Sequence, residues 1–143
     1  MRLDHEVQII TRRISRALWA IIGAIIFFWI GYEDRSTFNP ILLGGLIAVT
    51  LSLNLGHIIS TGRLRWPRAS VGILIAGLVA GTLAMPLAAI LILVKISLHG
   101  HIPPDFTLVQ VLTVLGRTPV WVGAGTLIGL SLALWIRNRQ DYG

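Results

Sequence analysis

The chain has 143 residues, of which 55% are hydrophobic and 13% are charged, with a net charge of +6 and no cysteine. Soluble domains carry roughly 25% charged residues, so this composition predicts one domain that lies in a bilayer rather than in water. The absence of thiols excludes disulfides, thiolate metal sites and cysteine catalysis. The basic residues stand between apolar stretches, which indicates membrane topology and not a nucleic-acid partner.

Residues 1–13 predict a short amphipathic helix on the membrane surface. Their apolar positions recur with helical spacing, at Leu3, Val7, Ile10 and Ile14. A first membrane span follows over residues 15–32, either separate from that helix or continuous with it. The sequence GYEDRS after this span lacks a small-x-small cleavage pattern, so we expect an uncleaved anchor and not a secretory signal.

The second span is predicted over residues 40–60, with Asn39 as its N-cap and Pro40 in the first helical position. It is the most polar of the spans. Its polar side chains fall on one helical face, at Thr50, Asn54 and His57.

The third span, residues 71–97, is about 40 Å long as a helix and contains one charge, Lys95. We expect the other helices to pack on this span because its small residues are the most regularly placed. Pro86 predicts a kink, partly compensated by the hydroxyl of Thr82. Lys95 is expected to extend toward the outer interface.

A long loop follows the third span, and Pro103-Pro104 ends any helix there. Thr107 and Gln110 fit a capping box, with Phe106 and Val111 as a hydrophobic staple. We therefore expect a short interfacial helix over residues 106–116, lying on the membrane or dipping into it. The fourth span is predicted over residues 118–136.

The distribution of Lys and Arg predicts the orientation. Nine lie in the N-terminal segment, the loop after span two and the tail, against three on the other side: Arg35, Lys95 and Arg117. By the positive-inside rule both termini are cytoplasmic. We expect a bacterial cytoplasmic (inner) membrane.

Small residues recur at the spacing by which membrane helices approach closely. The candidates on span three form two rows, and span four repeats the pattern: Gly72, Ala76, Ala80, Ala84 and Ala88; Gly77 and Gly81; Gly125 and Gly129, with Ala133 one turn on. Two interpretations stay open, namely packing within this chain and a subunit interface.

His57 is the candidate for a cofactor ligand, either of a single-ligand pigment or haem, or for a step in a proton relay. The alternative is a hydrogen bond to a neighbouring helix or a lipid headgroup. A bis-histidine haem within the chain is not expected, because no second histidine lies at a similar depth, whereas a second ligand from a partner chain stays open. Overall we expect no cofactor.

His99 and His101, with Asp105 close by, form a weak metal motif, and a solvated loop is the alternative. No acidic residue lies within a predicted span, and no phosphate-binding loop, GxSxG or HExxH is present. The chain is therefore not expected to be an enzyme.

In size, number of spans and N-terminal basic helix, the chain resembles the subunit I assembly proteins of bacterial ATP synthases. That resemblance implies an assembly role. The loop HGHIPPDFT departs from what is expected of that family, and the resemblance rests on no motif, so it assigns no site residue.

The sequence therefore predicts a single all-α integral membrane domain over residues 1–143, a four-transmembrane-helix bundle with an N-terminal amphipathic helix and an outer interfacial helix. The expected function is a non-catalytic accessory or assembly subunit that packs in the lipid bilayer against other membrane subunits or itself. The alternative is a small homo-oligomeric transporter or channel, with a path near the polar face of span two and Pro86.

Overall fold

The computed structural model describes residues 2–32, 35–58, 69–99 and 105–141, with side chains described over 16–32, 35–54, 71–98 and 105–135 and at 138. All regular structure in these residues is α-helical, as the apolar patterning predicts. The helices are α1 (Arg2–Gly31), α2 (Phe38–Ile58), α3 (Ala69–His99), α4 (Leu108–Gly116) and α5 (Thr118–Asp141).

The chain divides into two compact units, Met1–Asp34 and Arg35–Gly143. The first unit contains α1, which runs as one helix from the basic N-terminal stretch through the first apolar run. The amphipathic segment and the first apolar segment are thus continuous, which is one of the two arrangements left open by the sequence.

The second unit is organised around α3. Helices α2 and α5 both pack along α3, and α4 also contacts it. The side chains at this centre are almost fully buried; those of α3 include Ala84, Met85, Ala88 and Ile92. The expectation that other helices pack on this stretch is confirmed for α2, α4 and α5.

The start of α2 differs from the prediction. The helix begins at Phe38, and the Phe38 N–H donates to the Ser36 hydroxyl oxygen at 3.2 Å. Asn39 therefore lies inside the first turn and is not the N-cap. The hydroxyl of Ser36, two residues before Phe38, provides the acceptor that we had assigned to Asn39.

Helix α4 begins as predicted. The Thr107 hydroxyl oxygen accepts from the Gln110 N–H, and the Gln110 side-chain oxygen accepts from the Thr107 N–H at 2.8 Å. This confirms the capping box. Phe106 and Val111, the proposed staple pair, are both buried.

Two segments of the described chain are long and apolar enough to cross a membrane, judged by length and composition. They are Val71–Leu98, with a mean hydropathy of 2.4, and Leu108–Trp135, with a mean hydropathy of 1.4. The segments Arg16–Gly31 and Phe38–Asn54 are apolar but shorter. The second long segment includes both α4 and α5.

Candidate functional site at the central helix

The backbones of α3 and α5 meet at glycines. A methyl group added at Gly77 would lie 2.9 Å from the Cα of Gly129 and would overlap the carbonyl of Gly125. A methyl group at Gly125 would lie 3.0 Å from the Cα of Gly81 and would overlap the carbonyl of Gly77. Because these spaces are too small for a Cβ atom, glycine is what allows this approach.

These contacts define an antiparallel register between the two helices. Gly81 lies against the backbone of Trp121 and Val122, whereas Gly129 lies against that of Ile73 and Leu74. Each turn forward along α3 thus corresponds to a turn backward along α5. The interface is built from both glycine pairs that the sequence singled out, and it lies within one chain.

The contact between α2 and α3 uses a glycine that the sequence analysis did not select. A methyl group at Gly44 would lie 2.6 Å from the backbone nitrogen of Ala88 and 2.9 Å from its Cα. Ala48 and Ser52 continue the same four-residue spacing and are buried. This repeat of small residues is visible in the sequence, but the interpretation of the span was based on its polar residues.

The row of small residues beginning at Gly72 is not one uniform surface. Ala84 and Ala88 are buried where α2 approaches, while Ala76 and Ala80 are half-buried. Gly72 has open space where a Cβ would lie. The row therefore contacts a neighbouring backbone closely at one end, beside Gly44.

Helix α3 continues through Pro86 without interruption. The Thr82 hydroxyl donates to the carbonyl of Leu78 at 2.8 Å, which is the bond to an earlier carbonyl that we expected. Gly44 packs against the turn that contains Pro86. The kink itself stays a prediction.

The polar residues of α2 bond largely to their own helix. The hydroxyls of Thr50 and Ser52 donate to the carbonyls of Leu46 and Ala48, each at 2.8 Å, and the Asn54 amide donates to the Thr50 carbonyl at 2.9 Å. His57 lies in α2, but its side chain is outside the described residues. The proposed polar face is thus described only at Thr50 and Asn54.

The weak metal motif lies largely outside the described residues. His99 is the last residue of α3 and its side chain is not described, and His101 falls in the gap before Asp105. Within the described side chains, no group of three His, Cys, Asp or Glu residues could hold a metal ion. The histidine pair stays a prediction.

Lys95 does not extend outward as we expected. Its side chain is fully buried, and Nζ lies 5.8 Å from the centroid of the Phe106 ring. The staple residue before α4 therefore covers the ammonium group of α3. A cation facing an aromatic ring gains electrostatic stabilisation, which offsets part of its desolvation.

Helices α4 and α5 are separated by Arg117 alone. Arg117 keeps helical dihedral angles, with φ −82° and ψ −5°. Pro119 has no N–H to offer the carbonyl of Leu115 four residues earlier. The Thr118 hydroxyl donates to that carbonyl at 2.6 Å, so the Leu115 carbonyl is hydrogen-bonded although Pro119 has no N–H.

Comparison of the chain with models of known protein families, with curated proteins and with solved structures finds no match.

Proposed function

We propose that this chain is a multi-pass membrane protein that serves as a non-catalytic accessory or assembly subunit of a larger complex. Four apolar segments cross a bacterial cytoplasmic membrane, and both termini are cytoplasmic. The observation that carries the proposal is the one-sided packing of α5. Only 11% of the apolar stretch within Leu108–Trp135 is buried, and large side chains such as Leu127 and Ile128 are more than 60% exposed.

Such exposure favours a bilayer over water. Burying a large apolar side chain contributes about 1.5–3 kcal/mol, which the exposed face of α5 forgoes in water. Soluble monomers rarely carry apolar patches larger than a few hundred Å². In lipid this cost disappears.

The same packing favours a subunit over an isolated bundle. Within the second unit, helix α5 places its glycine face on α3, while large apolar side chains on its other faces, such as Leu127 and Ile128, are exposed. Membrane helices associate through shape and close packing, since lipid provides little hydrophobic drive between them. Helix α5 has broad apolar faces beside its close glycine contact with α3, and such faces suit the close packing of a further membrane helix.

The hydrogen bonds of α2 favour packing over a solute path. Thr50 and Ser52 are buried, and each gives its hydroxyl proton to a carbonyl of the same helix. A transport path would use such groups to replace water around a solute. Intrahelical bonding instead lets polar residues lie in an apolar medium.

The test is purification of the tagged full-length chain from its native membrane in mild detergent, with the mass of the complex and the identity of co-purifying proteins measured. We expect a stoichiometric foreign membrane protein. A monomer or a homo-oligomer free of foreign protein, recovered also after gentle crosslinking, would contradict the proposal.

A further inference from the structure

Lys95, the one lysine of the chain, is enclosed near the end of α3. Its side chain is 0% exposed, and Nζ lies 5.8 Å from the centroid of the Phe106 ring, which is itself 1% exposed. Phe106 directly precedes Thr107, the N-cap of α4. No group from outside the chain therefore reaches the ammonium unless the side chains around it, Phe106 among them, move.

Helix α4 is nine residues long and is attached to the second unit along one side. Its buried side chains are Val111 and Val114. Most of its other residues are exposed, with Leu108 and Val109 each at 72% and Leu112 at 58%. A segment with few buried apolar side chains opens at a lower free energy than the core of the same protein. We therefore expect α4 to separate from α3 more readily than α5 does.

Helix α5, in contrast, is closely packed from its first turn. A methyl group added at Gly81 of α3 would lie 2.9 Å from the backbone carbonyl carbon of Trp121. The ring of the same Trp121 lies against α2, 3.5 Å from the place that a Cβ of Gly45 would take. Trp121 thus contacts one neighbouring helix through its backbone and another through its side chain. The lightly attached α4 and the closely packed start of α5 are only a few residues apart.

The break between α4 and α5 has the features of a hinge. Pro119 has no N–H, so one backbone hydrogen bond of a continuous helix is missing there. Gly116 has open space where a Cβ would lie. The Thr118 hydroxyl bonds to the Leu115 carbonyl across the break and holds the observed arrangement. Hinges absorb changes in φ and ψ over a few residues at the end of an element, so rotation here would move α4 and leave α5 in place.

From this arrangement we propose that α4 is a lid hinged at residues 116–119. In the closed state it seals Lys95 beneath Phe106, and in the open state it exposes the ammonium group. A group that binds this ammonium from outside the chain binds the open state alone and shifts the population toward it. The inference does not depend on the proposed function, since neither the lid nor its test needs a partner protein.

The test measures acetylation of Lys95 in the full-length protein in mild detergent, by mass spectrometry of the modified peptide. Because the chain has one lysine, the other reactive amine is the N-terminus, and the peptide masses separate the two. The probe is the N-hydroxysuccinimide ester of acetic acid, which is small and uncharged, so the lid and not the micelle limits its access. We expect slow acetylation of Lys95 at a rate that changes little with urea, because a local opening exposes little surface.

Amide exchange of the same sample gives an independent measure of the opening. Amides of α4 should exchange with the same opening equilibrium that limits Lys95 acetylation. Amides of α3 near Gly77 should exchange more slowly, because they lie in the glycine contact with α5.

The first variants test the cover. Phe106→Ala should accelerate Lys95 acetylation about tenfold or more, because the closed state loses a buried aromatic side chain. Leu108→Ala is the matched control, since Leu108 is exposed at the start of the same helix, and it should match the wild type. Phe106→Leu keeps an apolar side chain without the ring and should give an intermediate rate. It also replaces Phe106→Ala in the comparison if that variant does not fold.

The second pair of variants tests the hinge. Pro119→Ala restores a backbone N–H at the break and should slow Lys95 acetylation by about two- to tenfold, the effect of one added hydrogen bond. Val120→Ala is its control, because Val120 is 72% exposed in the same turn, and it should match the wild type. Exchange near Gly77 should be unchanged in both variants.

Three results would overturn the proposal. Acetylation of Lys95 with the urea dependence of global unfolding would show that no lid opens. Equal acetylation rates in wild type and a folded Phe106 variant would show that Phe106 is not the cover. Faster exchange of α4 in that variant, with Lys95 still unreactive, would show that α4 opens without exposing the ammonium. An unchanged rate in Pro119→Ala would contradict the hinge at residues 116–119. Co-purification of a partner is unaffected by any of these results, so the proposed function is judged separately.

Discussion

At the scale of single residues, Gly77 and Gly125 matter because of the atom that they lack. Each would place a Cβ within the backbone of the other helix. The exchange is reciprocal, since each glycine faces the carbonyl of its partner. Close Cα–H contacts to carbonyl oxygens recur at such helix crossings and add a small stabilisation. The cost of a substitution there should follow from the space available and not from helix propensity.

Gly77→Ala is expected to destabilise the bundle by about 1–3 kcal/mol, because α3 and α5 must separate to admit the methyl group. Gly72→Ala is the matched control, since open space surrounds that position on the same helix. Denaturation in mild detergent measures both free energies of unfolding. Equal stability of the two variants would contradict the glycine contact.

The hydroxyl of Thr118 serves a different purpose from the other helix hydroxyls. It bonds to the Leu115 carbonyl at a point where Pro119 cannot. Thr118→Val should therefore lower the free energy of unfolding by about 1 kcal/mol. Ser131→Ala should have less effect, because the Leu127 carbonyl, to which Ser131 donates, keeps its helical N–H partner. A thermal shift in detergent for both variants would measure the difference, and equal shifts would argue against this role.

For single residues, the sequence indicates which positions are structurally important better than it indicates the contacts that those residues make. The glycine spacing on α3 and α5 and the Thr107–Gln110 cap were readable because local geometry determines them. The burial of Lys95 was not, since it depends on where Phe106, which follows the end of α3, comes to lie. Gly44 was readable by the same spacing rule, but the interpretation of this span was based on the polar residues later in it.

At the scale of elements, α4 is held to the rest of the second unit by few residues. Val111 and Val114 are its buried side chains, and Phe106 covers Lys95 just before the helix begins. The opposite side of α4 is exposed. The attachment of α4 should therefore depend strongly on Phe106.

Phe106→Ala is expected to increase amide hydrogen exchange throughout α4 while exchange in α3 near Gly77 stays slow. The reason is that it removes the largest buried apolar side chain beside α4 and uncovers the Lys95 ammonium. Leu108→Ala is the control, because Leu108 is 72% exposed. If both variants exchange like the wild type, the Phe106 contact does not hold α4 in place.

The boundaries of elements were predictable to within a few residues, and so was the central place of α3, but the path of the chain from α4 to α5 was not. The sequence separates an interfacial helix over 106–116 from a span starting at 118. The structure places Arg117 alone between them, with a helical backbone. Pro119 correctly predicts a break in the helix. Proline lacks a backbone N–H, which explains the break, but it does not determine the direction in which the chain continues. That direction depends on packing against α3.

At the scale of the whole molecule, the proposed topology can be tested because the chain contains no cysteine. Single cysteines then report position without background. We expect Ser36→Cys to react with a membrane-impermeant maleimide in intact cells, because it lies in the exposed loop before α2. We expect Gly143→Cys to react only after permeabilisation.

The positive-inside distribution is the physical reason for this expectation. Labelling of both positions from the same side would contradict the three crossings proposed between them. Reversed labelling would retain the crossings and contradict the orientation.

The central place of α3 also has an evolutionary consequence. Substitutions on α3 must satisfy two neighbours at once, at Gly44 on one side and at Gly125 on another. Helix α5 contacts α3 along a narrow strip of residues. On its outer face, one apolar residue can replace another at little cost in folding free energy. Among descendants of this chain, α3 should therefore change slowly along both of these packed faces. Helix α5 should drift rapidly everywhere except along its glycines, and a second slow strip on its surface would mark the imprint of a partner.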